Sequence, residues 1–263
     1  MSPWLALLLA WLLAAILMAA GWWWQQRRRN AGIVDVLWSA GLACSALLLA
    51  ALGRGAAVPR LCLAVLGGAW GARLAWHLWR RVRGGDEDGR YRQLRAHWGD
   101  GALRWWLFFQ AQAALVVLFA LPFLAVAGNP DTRPGWLLGG VLIWLLGVGG
   151  EALADAQLAL FRADPANLGR TCRDGLWRYS RHPNYFFEWL HWFAYVALAR
   201  GAPHAWLAWL GPVLMFAFLR WLSGIPWTEA QALRNRGEDY LAYQRSTPMF
   251  FPWFPRQPTR SGP

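Results

Sequence analysis

The chain has 263 residues, 57% of them hydrophobic, and a formal net charge of +12. All 26 basic residues are arginine, against 14 acidic ones, and tryptophan occurs 22 times. Long uncharged apolar runs exclude an ordinary soluble enzyme, a disordered chain and a disulfide scaffold. They also make the excess arginine a statement about orientation and lipid headgroups rather than nucleic acid, for which no binding motif is present.

The first run, Leu5 to Trp24, is uncharged and long enough to cross a hydrocarbon core about 30 Å thick. No positive charge precedes it and it is too long for a signal peptide, so it reads as a first transmembrane helix. Apolar segments follow at 33–53, 58–79, 104–127, 135–155, 185–200 and 204–223, separated by charged or Gly/Pro-bearing breaks such as Arg27-Arg28-Arg29-Asn30 and Asn129-Pro130-Asp131. The expectation is an all-α polytopic membrane protein of about seven transmembrane helices, with cytoplasmic loops and a C-terminal cytoplasmic helix. Twenty-one arginines fall after the first, third, fifth and seventh segments, and four (Arg54, Arg60, Arg133, Arg200) fall on the other side. That bias predicts an N-terminus outside and a C-terminus in the cytoplasm, in a bacterial inner membrane. Cys44, Cys62 and Cys172 show no paired spacing and read as packing residues, and no histidine spacing suits a metal.

Ionisable groups within spans are costly and call for a partner or a task. Asp35 lies in the second segment, Arg73 and His77 share a face of the third, and Glu151 and Asp155 share a face at the end of the fifth. Asp35 either ties two helices together through Arg73 or takes part in chemistry. The densest stretch runs from Gly175 through Arg178, Tyr179, Arg181, His182, Pro183 and Asn184 to Glu188. Pro183 suits the first turn of a helix on which Asn184 and Glu188 share a face, and Arg178, Arg181 and the free N–H groups of that helix start would suit a phosphate. In the tail, Thr228-Glu229 opens a further helix that carries Arg236-Gly237-Glu238-Asp239-Tyr240. Gly147-Val148-Gly149-Gly150 is not a dinucleotide fingerprint, and no phosphate-binding loop of the Walker type is present.

The run Gly175-Leu176-Trp177-Arg178-Tyr179-Ser180-Arg181-His182-Pro183-Asn184-Tyr185 with Glu188-Trp189 resembles the C-terminal domain of the steroid 5-alpha-reductase superfamily, closest to its bacterial membrane branch. Asn30 to Ser39, Gly224-Ile225-Pro226 and Arg236 to Tyr240 are also similar, so the likeness covers nearly the whole chain. Sterol reductases and isoprenylcysteine methyltransferases share parts of these motifs. The resemblance implies a single membrane domain over 1–263, with substrate-side helices in 1–127 and a cofactor-binding half in 135–255. It implies an NADPH-dependent oxidoreductase that reduces a double bond conjugated to a carbonyl in a hydrophobic molecule taken from the bilayer. Asp155, Arg162, Asn184 and Glu188 match cofactor-pocket positions, with Tyr179 and Tyr240 as looser matches, while Glu151 stands where the steroid enzymes carry asparagine; Arg178, Arg181, His182 and Glu229 complete the expected cofactor-binding set. Those enzymes meet the substrate carbonyl with a glutamate and a tyrosine from early helices. Here no tyrosine precedes Tyr91, which leaves His77 and Asp35 as the expected catalytic pair. An S-adenosylmethionine-dependent methyltransferase and a non-catalytic lipid-binding protein are the alternatives. Membrane lipids are expected partners; nucleic acid, metal and a protein partner are not.

Overall fold

A computed structural model of the protein describes residues 1–255, all of them in helices, turns and connecting loops with no strand among them. The chain divides into two compact units, one of Met1–Val141 with Tyr195–Gly211, the other of Leu142–Ala194 with the chain from Pro212 on.

In the first unit, α1 (Pro3–Arg28) is opened by Ser2, whose hydroxyl accepts the Leu5 N–H at 3.2 Å, and by Pro3 in the first turn. It stops at Arg29, the one non-glycine residue with positive φ among the described residues (51°). α2 (Ile33–Leu52) and α3 (Ala57–Gly84) lie against each other through small residues, and a Cβ on Gly71 would fall 2.8 Å from the Ser39 carbonyl oxygen. A polar helix, α4 (Gly89–Trp98), is capped by Asp88, which accepts the Arg90 N–H at 2.9 Å. α5 (Ala102–Ala127) is apolar from Ala113 on and ends beside the α2–α3 turn, where Gly55 N–H donates to the Ala127 carbonyl at 2.9 Å and Ala56 N–H to the Asn129 carbonyl at 2.8 Å. Buried Asn129 in turn donates to the Leu198 carbonyl at 2.7 Å, closing the turn with groups that water cannot serve there.

In the second unit, α7 (Pro183–His191) runs antiparallel along α6 (Pro134–Ala163). The glycine run that fails as a nucleotide loop serves this packing: a Cβ on Gly147 would meet His191 at 2.6 Å, and one on Gly150 would meet the Phe187 ring at 2.4 Å. α8 (Phe193–Leu198) follows α7 in the chain, and α9 (Leu210–Ala217) runs into a π-turn, Phe218–Leu222. α10 (Ile225–Ser246) is kinked at Gly237 (φ 49°, ψ −124°), a backbone conformation that only glycine takes readily.

Among the described residues six helical stretches are long and apolar enough to cross a membrane: α1, α2, α3, α5, α6 and the run Ala205–Ser246, apolar in its first part. The chain is therefore a polytopic, all-helical integral membrane protein. The segment drawn at 185–200 is not among the six, because it is broken into helices of nine and six residues. The cause is local. His191 Nδ1 lies 2.6 Å from the Glu188 carbonyl oxygen and occupies the acceptor that the Trp192 N–H would use in an unbroken helix; that N–H bonds to Trp189 instead. Arg256 and Arg260, two of the arginines counted toward the C-terminal side, lie outside the described residues.

Candidate functional site

Two polar networks stand out, one in each unit. In the first, Asp35 sits in the opening turn of α2, where the helix dipole favours a carboxylate. The Tyr91 hydroxyl donates to its Oδ1 at 2.6 Å, and Arg90 donates to its Oδ2 at 3.1 Å. A cation at Asp35 is thus Arg90 of α4. Arg90 is shared with Asp88 (3.1 Å), which also pairs with Arg81 at 2.7 Å. Burial opposes the Asp88 charge, but the Arg90 charge and hydrogen bonds outweigh it and hold that carboxyl below the usual range. Tyr91 is pushed well above the ordinary phenol value, first by burial and then by the Asp35 charge, so its hydroxyl keeps its proton at any physiological pH. Alongside, Glu87 accepts two bonds from Arg95, at 2.8 and 3.1 Å, and the Ala31 N–H at 2.7 Å.

The second network centres on Glu229 of α10. Its Oε1 accepts Arg181 Nε at 2.7 Å, lies 3.2 Å from His182 Nε2, and takes a longer bond from the Tyr240 hydroxyl at 3.4 Å; its Oε2 accepts Gln244 Nε2 at 2.9 Å. Arg181 Nη1 donates to the carbonyls of Thr247 (2.8 Å) and Gln244 (3.1 Å). His182 is stacked on Tyr185 with ring centroids 5.4 Å apart, and burial lowers its pKa despite the nearby carboxylate. The Tyr243 hydroxyl closes the dock on the carbonyls of Trp177 and Ser180.

The cofactor-pocket positions separate accordingly. Arg181, His182, Glu229 and Tyr240 bind one another and fasten the tail helix. Asp155 accepts the Asn184 amide at 3.0 Å, so these two do share a site. Glu188 is buried with His191 Nδ1 3.6 Å from its Oε2, one turn on along α7. Arg162 and Arg178 are exposed, as is Tyr179, whose ring meets Phe254 edge-on. On the catalytic side His77 is exposed on α3, and no hydrogen bond or ion pair joins it to Asp35 among the described residues. The residue that meets Asp35 is Tyr91. Sequence reasoning noted that residue only as the first tyrosine in the chain, and no periodicity links it to Asp35, 56 positions earlier. Gln157, which accepts the Leu176 N–H at 2.9 Å and so shapes the turn before Arg178, was also missed. Among the described residues no group of acidic, histidine and cysteine side chains suits a metal ion.

Fold and networks together define a helical membrane protein with ordered polar sites at its helix ends. The chain belongs to the family described as "Protein of unknown function (DUF1295)", which matches residues 21–247 and so takes in both networks. It is similar to "Uncharacterized protein C594.04c" of Schizosaccharomyces pombe, at 29% identity over 256 residues, covering 85% of this chain and 73% of the relative. No solved structure matches.

Proposed function

We propose that the protein is an NADPH-dependent membrane reductase, acting on a double bond conjugated to a carbonyl in a hydrophobic, isoprenoid-, steroid- or lipid-like molecule. The observation that carries this reading is the Tyr91 hydroxyl held 2.6 Å from Asp35. It is a carboxylate and a tyrosine together, which is what the resemblance to steroid 5-alpha-reductases asks of the early helices. The general acid moves from His77 to Tyr91, since His77 is exposed. With the broken α7–α8 segment counted as a seventh crossing beside the six long stretches, arginines after alternate spans support an N-terminus outside and a C-terminus in the cytoplasm of a bacterial inner membrane.

The residues of the second unit suit an anionic adenosine cofactor. Arg162 and Arg178 are exposed cations for phosphate groups, while Asn184 and Asp155 offer a half-buried amide and acceptor for a polar ring. NADPH, when bound, supplies a hydride. The remaining steps fall to the chain's own groups. A substrate carbonyl oxygen accepts the hydrogen bond of the Tyr91 hydroxyl in place of Asp35. As the β carbon gains hydride, negative charge gathers on that oxygen, and the Tyr91 proton moves onto it to give the enol, which relaxes to the saturated ketone. Arg90 keeps Asp35 charged and in place throughout, and the phenolate is reprotonated from water.

The test is thermal stabilisation of detergent-purified protein by NADPH against S-adenosylmethionine. NADPH should raise the melting temperature, and Asn184→Leu should abolish the rise. Stabilisation by S-adenosylmethionine alone would overturn the assignment in favour of methyl transfer, and a response to neither would favour a non-catalytic lipid-binding role.

A further inference from the structure

In the first unit a cleft of about 620 Å³ opens between the arginine-bearing ends of α1 and α3. Its walls are Trp24 and Arg28 from α1, Trp79, Val82 and Arg83 from α3, and Asn30 from the turn between α1 and α2. The two indoles lie with centroids 6.4 Å apart, their planes tilted at 53°. The acids nearby in the chain are largely taken by other arginines: Asp35 by Arg90, Glu87 by Arg95, Asp88 by Arg81 and Arg90, and Asp100 by Arg29 and Arg95. Arg28 and Arg83 form no ion pair among the described residues, so the cleft holds two cations with no protein anion.

A second hollow of about 530 Å³, almost wholly apolar, runs between α2 and α3 along Ala40, Cys44, Leu47, Gly68, Ala72 and Ala75. The two hollows share a side. On α3, Gly68, Ala72, Ala75, Trp79 and Val82 recur at spacings of four and three and form one stripe. On α2, Ala40, Cys44 and Leu47 continue the stripe of Leu37, the residue that meets α1 at Gly21, and on α1 that same face carries Trp24 and Arg28. An apolar track within the span therefore leads toward a cleft with two indoles and two unpaired guanidiniums at its end.

We infer that this face binds one bilayer lipid with an anionic phosphate-bearing headgroup, its chain in the small-residue groove and its phosphate between Arg28 and Arg83. Indole rings at headgroup depth and basic pockets at helix ends are the physical means by which membrane proteins hold such lipids. The site shares no residue with either network and does not depend on the reductase reading.

The experiment is native mass spectrometry of the purified full chain titrated with phosphatidylglycerol, phosphatidylcholine or inorganic phosphate. One phosphatidylglycerol should be retained in preference to phosphatidylcholine, and the double variant Arg28→Gln/Arg83→Gln should weaken it roughly ten- to thirty-fold. Ala72→Leu, which fills the groove, should weaken the lipid while leaving the weak phosphate signal unchanged. Equal retention of the two lipids, or no loss in the double variant, overturns the inference; displacement of the lipid by millimolar phosphate identifies a soluble anion site instead. As a measurement that needs no variant, a phosphatidylglycerol with a photoreactive headgroup should crosslink to peptides holding residues 24–30 and 79–85. Crosslinks confined to other peptides also overturn it.

Discussion

The Asp35 network in the first unit and the Glu229 network in the second use the same parts: a carboxylate, an arginine from a neighbouring helix or loop, and a tyrosine hydroxyl. They differ in closure. Around Glu229 the side chains of Arg181 and His182 are 10% and 2% exposed, and Arg181 spends further donors on two backbone carbonyls. Around Asp35 both Arg90 and Asp35 remain 32% exposed. A closed network of this kind fixes one geometry and leaves no room for a ligand. A network open on one side can exchange a partner, as an acid in catalysis must. Similar composition thus permits opposite tasks, and solvent access separates them.

The comparison breaks most visibly at Glu229. Glu229→Ala leaves the Arg181 guanidinium buried without its carboxylate and should cost about 3–5 kcal/mol of stability, read by thermal or denaturant unfolding in detergent. Tyr91→Phe removes one hydrogen bond and should cost only about 1 kcal/mol of stability. Its effect belongs on turnover instead, with a loss of about a hundredfold or more in enone reduction at unchanged NADPH affinity. A similar stability loss in both variants would erase the distinction between the networks.

The closed network should also respond to acid. Folded His182 takes up its proton only below the ordinary value of 6.5, because burial and Arg181 oppose the charge. An unfolded histidine protonates near the ordinary value. In the window between them the unfolded chain binds more protons, so stability is complete above about pH 6.5 and declines as pH falls through it. The melting temperature of the wild type should drop from pH 7 toward pH 5, and His182→Asn should flatten part of that slope. The smallest effect is expected at Arg173, whose pair with Asp239 is 44% and 40% exposed. Arg173→Gln should change stability by less than about 1 kcal/mol.

Much of the architecture was legible in the sequence, because apolar runs of membrane length are one-dimensional signals. The helix opening at Pro183 followed from the place of a proline in a first helical turn, whereas the nearness of Asp155 to Asn184 followed from the family resemblance, which put both in one pocket. Three things were not legible. The break at Trp192 comes from a side-chain bond to a backbone carbonyl, which hydropathy does not register. Arg181 looked like a phosphate ligand because its neutralising carboxylate, Glu229, stands 48 residues away on a helix brought back by the fold. Tyr91 lies in a polar loop helix, outside every apolar segment, and only tertiary folding carries its hydroxyl to Asp35.

The most direct test of the central claim is deuterium transfer in lipid nanodiscs, from NADPH labelled on its reactive carbon to a panel of hydrophobic enones. The account predicts label at the β carbon of at least one enone with the wild-type chain, and loss of about a hundredfold or more in that transfer with Tyr91→Phe. Transfer at the wild-type rate in Tyr91→Phe, or none from any enone with the intact protein, would contradict it.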